Sequence, residues 1–164
     1  MVLAELRGRA ETLATAESLT GGLLGALLID VPGASDSYVG GVISYATRLK
    51  ATLAGVDPIT LRNLGPVSEE TAKQMASGVS RICEADWGLA TTGVAGPSPQ
   101  DGHPVGEVYV AVAHPASGLV GAQRLSLSGD RATIRDAAVA HAVRLLAEAL
   151  ETIREPAGSA PEES

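Results

Sequence analysis

Four short stretches carry hydroxyl, amine or guanidinium side chains, and each lies at a strand-to-helix junction or in a glycine-rich loop. In open α/β sheets, ligands bind beyond the carboxyl ends of the strands. This shared position makes all four stretches candidates for a ligand site. In chain order, the stretches are residues 17–22 (ESLTGG), 44–50 (SYATRLK), 91–97 (TTGVAGP) and 128–131 (SGDR).

The first stretch places a carboxylate and two hydroxyls beside two glycines. Glycines let a ligand approach the backbone, and the start of a helix offers free N–H groups to an anion. Ser18 follows a predicted strand, so its hydroxyl can point into a cleft as a nucleophile. Ser18 or Thr20 can instead be an ordinary N-cap, and composition alone favours that simpler interpretation. The stretch lacks the lysine of a phosphate-binding loop.

The second stretch contains a candidate base. Tyr45 ends a strand that is predicted to be buried, and Lys50 lies in the first turns of the next helix. Leu49 and Leu53 mark the predicted buried face of that helix, so Lys50 is one position away from it and partly desolvated. Desolvation lowers the pKa of a lysine and makes a neutral amine available as a base. A solvated helical lysine is the commoner alternative.

The third and fourth stretches are candidates for binding an anion. Thr92, Gly93 and Gly96 can offer hydroxyl and backbone donors at the end of a strand, although a simple turn is the alternative. Arg131 lies in the first turn of the last helix, where a cation opposes the helix dipole, and Arg135 lies one turn further on the same face. The two arginines are therefore either a solvated charge cluster or a pair that awaits a phosphate or carboxylate.

Strand-like and helix-like apolar patterns alternate along the chain, which predicts a three-layer α/β/α fold with a mixed, mostly parallel sheet of about five strands. The glycine and proline content of residues 94–106 leaves too little room for a helical crossover, so the strands that flank them are predicted to be antiparallel neighbours. The predicted strands are 13–16, 39–45, 87–95, 106–113 and 119–127, and four predicted helices are 1–9, 20–30, 46–54 and 130–151. A further helix is predicted to begin after its N-cap Ser68. Its apolar face is predicted at Ala72, Met75, Ala76, Val79, Ile82 and Cys83.

Composition narrows the class of protein. A chain of 164 residues favours one domain, predicted at 1–154, followed by an acidic tail at 155–164 that is predicted to be disordered. The net charge of -7 argues against a nucleic-acid partner. The single Cys83 excludes an intrachain disulfide, and the three histidines lack metal-ligand spacing. With neither a signal peptide nor a long apolar span, we expect a cytoplasmic protein without a membrane partner.

The motifs AESLTGG, SYATRLK, TTGVAGP with PVGEVYVAVA, and SGDR occur in the order and approximate spacing of the CinA C-terminal domain family, which the chain resembles. That family includes the stand-alone nicotinamide-mononucleotide deamidase. The resemblance implies an anticodon-binding-domain-like α/β/α fold, a homodimer or larger homo-oligomer, and hydrolysis of nicotinamide mononucleotide to nicotinic acid mononucleotide and ammonia in pyridine-nucleotide salvage, with no cofactor or metal. A non-hydrolytic nucleotide-binding module in a competence-related complex is the alternative.

The resemblance also implies roles for individual residues. Ser18 would be the nucleophile, with Thr20 left as the alternative, Lys50 would be the base, and Tyr45 would assist proton transfer or orient the pair. N–H groups near Thr20, Gly21 and Gly22 would stabilise the oxyanion, and Glu17 would respond to the positive charge of the nicotinamide ring. Leu19 stands where relatives often have cysteine, which excludes a thiol nucleophile there. The remaining substrate-binding residues would be Thr92, Gly93, Ala95, Gly96, Arg131 and Arg135.

Overall fold

A five-stranded sheet forms the middle layer of the structure, a computed structural model that describes residues 2–153. The first three strands run parallel, and the fourth is antiparallel to both of its neighbours, so four of the five strands point the same way. The predicted mixed, mostly parallel sheet is confirmed. The spatial order is β2-β1-β3-β4-β5, with β1 at Leu13–Glu17, β2 at Tyr38–Ile43, β3 at Trp87–Gly93, β4 at Glu107–His114 and β5 at Leu119–Ser126.

Six α-helices accompany the sheet within the described residues. The helix at Pro58–Leu64 was not predicted, although Asp57 caps its start, Pro58 occupies its first turn and Gly65 ends it. The predicted tail at 155–164 lies outside the described residues. The helices are α1 (Val2–Gly8), α2 (Leu23–Ile29), α3 (Thr47–Thr52), α4 (Pro58–Leu64), α5 (Glu69–Ile82) and α6 (Arg131–Thr152).

The two faces of the sheet are packed differently. One face presents large side chains such as Leu13 and Leu89, which pack with α1, α2 and α6. The other presents mainly alanines, which pack against α5. Small residues allow close backbone approach. A Cβ added at Gly88 of β3 would lie only 1.8 Å from the carbonyl oxygen of Ala76 in α5. The sheet and α5 therefore touch backbone to backbone.

Three local predictions were wrong. The strand predicted to be buried at 39–45 is β2, an edge strand, and its Ile43 is half exposed. Ile82, predicted on the apolar face of α5, is also half exposed because it lies at the end of the helix, beyond the part that the sheet covers. The helix predicted from residue 20 begins only at Leu23, since Gly21 and Gly22 have φ values of 57° and 107°. Such left-handed conformations interrupt a right-handed helix.

The three parallel strands β1, β2 and β3 end at the same edge of the sheet. Ser18 follows β1, Ser44 follows β2, and Val94 follows β3. The fold therefore gathers the first three predicted stretches at one edge. The start of α6 reaches the same edge, because Arg131 bonds to the backbone of Gly96. Among the described residues, no helix is both long and apolar enough to cross a membrane.

Candidate active site

A cavity opens at the carboxyl ends of the three parallel strands, and eight of the thirteen predicted site residues line it. The other five lie outside its wall. Those that line it are Ser18, Tyr45, Lys50, Thr92, Gly93, Ala95, Gly96 and Arg131, and those that do not are Glu17, Thr20, Gly21, Gly22 and Arg135.

The centre of the cavity is a direct contact between an amine and a hydroxyl. Lys50 Nζ lies 3.0 Å from Ser18 Oγ. The same nitrogen lies 2.8 Å from the carbonyl oxygen of Ser44 and 3.3 Å from that of Tyr45. Carbonyl oxygens only accept hydrogen bonds. A neutral amine that donates its two N–H groups to these carbonyls has its lone pair left for the Ser18 hydroxyl, which is the geometry that a general base requires.

Lys50 is the buried residue of α3. Its side chain is 2% exposed, and desolvation lowers its pKa from 10.5 to about 8. The predicted partial desolvation thus understates the burial. The assignment of Leu53 to the buried face was wrong, because this six-residue helix turns Lys50 toward the sheet and leaves Leu53 40% exposed.

The geometry distinguishes the two candidate nucleophiles. Ser18 lines the cavity and contacts Lys50. Thr20 is fully buried, and its hydroxyl lies 2.7 Å from Glu17 Oε1 and 2.8 Å from the hydroxyl of Thr91. Both of its contacts lie away from the cavity. Of the two hydroxyls, that of Ser18 is therefore the one that faces the cavity and contacts the lysine amine.

The turn after Ser18 is organised by a buried carboxylate. Glu17 is 3% exposed and accepts hydrogen bonds from the amides of Gly22, Leu24 and Gly25 at 2.9–3.2 Å. The N-cap interpretation of Ser18 and Thr20 was wrong, because Glu17 supplies the acceptor at the start of α2. Its carboxylate faces this helix and does not line the cavity, so it does not contact the space in which the charged ring of a bound nucleotide was expected.

The backbone donors beside Ser18 also differ from those predicted. The amide of Gly21 donates to the carbonyl of Ser18, and that of Gly22 donates to Glu17. Among the hydrogen bonds within residues 2–153, none has the amide of Leu19 or Thr20 as its donor. The N–H groups available to an oxyanion therefore come one or two positions after Ser18, and the two glycines shape the turn instead.

Arg131 and Arg135 contact different parts of the structure. Arg131 Nη1 donates to the carbonyl of Gly96 at 2.5 Å, and its Nη2 donates to the Tyr45 hydroxyl at 3.2 Å. These contacts hold Arg131 at the cavity mouth, beside a Tyr45 side chain that is 62% exposed. Arg135 points instead to the backbone carbonyls of Leu19 and Thr20. The predicted arginine pair is thus divided between the cavity and the turn.

The loop between β3 and β4 closes one side of the cavity. Its residues Ser98 and Gln100 line the wall, and Glu107 at its far end accepts hydrogen bonds from His103, Tyr109 and Arg124 at 3.0–3.2 Å. Burial alone would raise the pKa of Glu107. Hydrogen bonds from His103 and Tyr109 and the nearby positive charge outweigh it and lower that pKa. The loop is therefore anchored at its base by an ionised carboxylate.

Sequence reasoning missed several wall residues, among them Pro66 and Val67, which follow α4. The Asp-Pro start and Gly-Pro end of this helix were the signals that would have placed them. Pro66 also accepts a hydrogen bond from the Thr92 hydroxyl at 2.7 Å. The other wall residues not assigned from the sequence are Leu19, Thr47, Val94, Ser98 and Gln100.

The cavity wall is cationic although the chain is acidic. It carries Lys50 and Arg131 and, among the described residues, no carboxylate. No group of His, Cys, Asp and Glu side chains within residues 2–153 has the composition of a metal site. The arrangement defines a class of site: a buried serine–lysine pair at the strand ends of an α/β/α domain, opening toward an arginine.

The chain belongs to the CinA C-terminal domain family, whose model matches residues 1–150. A CinA-like protein of Frankia casuarinae is 49% identical over 146 residues, which cover 89% of this chain and 33% of that protein. A CinA-like protein of Synechocystis is 53% identical over 116 residues, covering 70% of this chain and 28% of that protein. The chain spans about a third of the length of these relatives.

Solved structures agree with this assignment. A competence-damaged protein (CinA) superfamily protein from Klebsiella pneumoniae superposes with a TM-score of 0.87 at 33% identity, covering 92% of this chain and 94% of that one. A competence/damage-inducible protein from Agrobacterium tumefaciens gives a TM-score of 0.86 at 33% identity, covering 92% and 91%. The three-layer fold is thus that of the CinA superfamily.

Proposed function

We propose that the chain is a serine–lysine amidohydrolase that converts nicotinamide mononucleotide to nicotinic acid mononucleotide and ammonia. The observation that carries this proposal is the 3.0 Å contact between Lys50 Nζ and Ser18 Oγ inside a buried cavity. A hydroxyl is a weak nucleophile until a neighbouring base removes its proton, and a desolvated lysine is such a base.

In the first half-reaction, Ser18 Oγ attacks the carboxamide carbon while Lys50 takes the hydroxyl proton. The carbonyl oxygen becomes an oxyanion, for which the amides of Leu19 and Thr20 are the free donors. Collapse of the tetrahedral intermediate breaks the C–N bond. The Lys50 ammonium returns the proton to the departing nitrogen, so ammonia leaves and an ester to Ser18 remains.

In the second half-reaction, water attacks the ester carbon and the neutral Lys50 amine takes a proton from that water. Breaking the ester bond returns the proton to Ser18 Oγ and releases the carboxylic acid. One water is consumed and one ammonia is formed for each amide. Splitting amide hydrolysis in this way replaces one difficult barrier by two lower ones.

The pKa of Lys50 makes this chemistry compatible with neutral pH. With a pKa of about 8, roughly one molecule in ten has a neutral amine at pH 7. At the usual lysine value of 10.5 the neutral fraction would be roughly one in three thousand. Burial therefore raises the concentration of the active base by a factor on the order of three hundred.

The charge of the cavity supports an anionic substrate. Arg131 lies at the mouth with its guanidinium fixed by Gly96 and Tyr45, and no carboxylate lines the wall within the described residues. A phosphate monoester is matched by a fixed guanidinium through charge-assisted hydrogen bonds. In this proposal the phosphate of the mononucleotide lies at Arg131 and the carboxamide at Ser18.

An ammonia-release assay tests the proposal. Purified chain, treated with chelator, is incubated with nicotinamide mononucleotide, nicotinamide riboside or nicotinamide, with the Ser18→Ala variant as the matched control. We expect ammonia from the mononucleotide, less from the other two, and none from the variant. Saturable binding of the mononucleotide without ammonia would instead favour the non-hydrolytic nucleotide-binding module.

A further inference from the structure

The turn that follows Ser18 is held on its N–H side by one ionic side chain. Glu17 Oε1 accepts the Thr20 hydroxyl at 2.7 Å and the amides of Gly22 and Leu24, while Oε2 accepts the amide of Gly25 at 3.1 Å. Within the described residues this 3% exposed carboxylate forms no salt bridge. Its charge is met by N–H groups and one hydroxyl alone.

The C=O side of the same turn is held by a second ionic side chain. Arg135 Nε donates to the carbonyl of Leu19 at 2.8 Å, and its Nη2 donates to the carbonyl of Thr20 at 3.2 Å. The guanidinium also lies over Gly21, where an added Cβ would be 3.5 Å from Nη2. Arg135 reaches the turn from α6, more than a hundred residues away in the chain.

We propose that Glu17 and Arg135 form a clamp that positions the Ser18 nucleophile and the free amides after it, without touching the substrate. This inference rests on the proposed function for its meaning, because the clamped turn carries the attacking hydroxyl. The two side chains grip opposite polar edges of residues 18–22 and do not contact each other. The carboxylate fixes the donors of the turn, and the guanidinium fixes its acceptors.

The clamp leaves two backbone groups uncommitted. The carbonyl of Leu19 shares a peptide plane with the amide of Thr20, so its bond to Arg135 holds that amide in place. The carbonyl of Ser18 shares a plane with the amide of Leu19 and is held by the amide of Gly21. Within the described residues, neither the Leu19 nor the Thr20 amide has an acceptor. A displacement of about 1 Å in such a group costs on the order of a hundredfold in rate. Each side chain thus acts through the turn, which makes both of them positioning residues.

Labelling of Ser18 by a fluorophosphonate tests the clamp without any nucleotide. In this reaction Ser18 Oγ bonds to phosphorus, fluoride leaves and Lys50 takes the proton. The variants are Glu17→Gln, which keeps the size but removes the charge, and Arg135→Lys, which keeps the charge but cannot bond two carbonyls in one plane. The control is Arg9→Lys, because Arg9 bonds the carbonyls of Leu150 and Ile153 at the far end of α6.

We expect both clamp variants to be labelled about ten to a hundred times more slowly than the original chain. Arg9→Lys should lose thermal stability but keep its labelling rate within about twofold. The pH at which the labelling rate is half-maximal should stay near the pKa of Lys50, about 8, in every variant, because the clamp does not contact the amine. Variants that label at the original rate while folded overturn the clamp, and so does an equal slowing in Arg9→Lys.

Kinetics of the same variants distinguish positioning of the turn from direct contact with the substrate. On nicotinamide mononucleotide, the clamp predicts a kcat that falls about tenfold or more with KM within about twofold, whereas substrate-contacting residues would raise KM. If the original chain labels at Ser18 but releases no ammonia, the proposed substrate fails and the labelling result still decides the clamp. If Glu17→Gln does not fold, Arg135→Lys decides it alone, since Arg135 is only partly buried.

Discussion

Lys50 Nζ lies 3.0 Å from Ser18 Oγ, although the two residues are 32 positions apart in the chain. Ser18 extends from a central strand, and Lys50 comes from the short helix that follows the neighbouring edge strand. The parallel pairing of those two strands makes the contact, because it ends both of them at one edge. The reactive pair is therefore a product of strand topology and not of a local motif.

Substitutions of the two candidate nucleophiles, Ser18 and Thr20, should have different effects on kcat. Ser18→Ala should lower kcat by about a thousandfold or more, because among residues 2–153 no other hydroxyl contacts Lys50. Thr20→Val should lower it by less than about tenfold, since the Thr20 hydroxyl serves Glu17 and Thr91. Steady-state ammonia release, with circular dichroism as the folding control, measures both. Inactive, folded Thr20→Val beside an active Ser18→Ala would reverse the assignment.

The rate should depend on pH through Lys50. The base is active when deprotonated, so kcat/KM should rise roughly tenfold per pH unit below about 8 and level off above it. Measurement of kcat/KM between pH 6 and pH 10 tests this. A profile that falls with rising pH through this range would show that a protonated group is required instead.

Replacing the buried amine should stabilise the fold while destroying activity. Lys50→Met removes a desolvated cation and keeps an unbranched side chain, so we expect a gain of about 1–3 kcal/mol in the free energy of unfolding at pH 7. The native pKa of Lys50, about 8, lies below the unfolded value of 10.5. The cost of burial is therefore complete below pH 8 and disappears toward pH 10.5.

Urea unfolding at pH 7 and at pH 10 measures this gain. It should be larger at the lower pH, because both states of the original chain approach neutrality at that lysine as pH rises. Lys73→Met, at a partly exposed position of α5, is the matched control and should show no such pH dependence. A Lys50→Met variant that is less stable than the original chain at pH 7 would contradict the expectation.

Arg131 should matter only for substrates that carry a phosphate. Arg131→Ala should raise KM for nicotinamide mononucleotide by about ten- to a hundredfold, the usual cost of a charge-assisted contact. KM for nicotinamide riboside should change by less than about twofold. Arg48→Ala, at an exposed position outside the cavity wall, is the control. Equal losses for both substrates would mean that Arg131 supports the loop through Gly96 and not the phosphate.

The sheet was predictable because its strands are short apolar runs separated by clear breaks, and the antiparallel β3–β4 pair followed from the glycine and proline content of the connection, which leaves no room for a crossover helix. The orientation of Lys50 was harder, because α3 has only six residues, and Leu49 together with Leu53 just beyond its end indicated a misleading buried face. Fewer than two turns provide no reliable periodicity.

The roles of Glu17 and Arg135 could not be read from the chain either. Glycines at 21 and 22 signal an unusual backbone, but a sequence does not give the sign of φ, and only positive values turn the amides toward Glu17. Arg135 was predicted either to belong to a solvated charge cluster or to await a phosphate or carboxylate together with Arg131. Its acceptors are instead the backbone carbonyls of Leu19 and Thr20. Every residue has such a carbonyl, so residue types do not reveal which ones an arginine will contact.

The backbone contact between β3 and α5 has a consequence for redesign. Because Gly88 has no room for a single methyl group, the contact between β3 and α5 does not tolerate a larger side chain at that position. Ser98 and Gln100, in contrast, line the cavity from exposed positions of a loop. Libraries that seek a changed substrate range should therefore diversify these two positions and leave the small residues beneath β3 untouched.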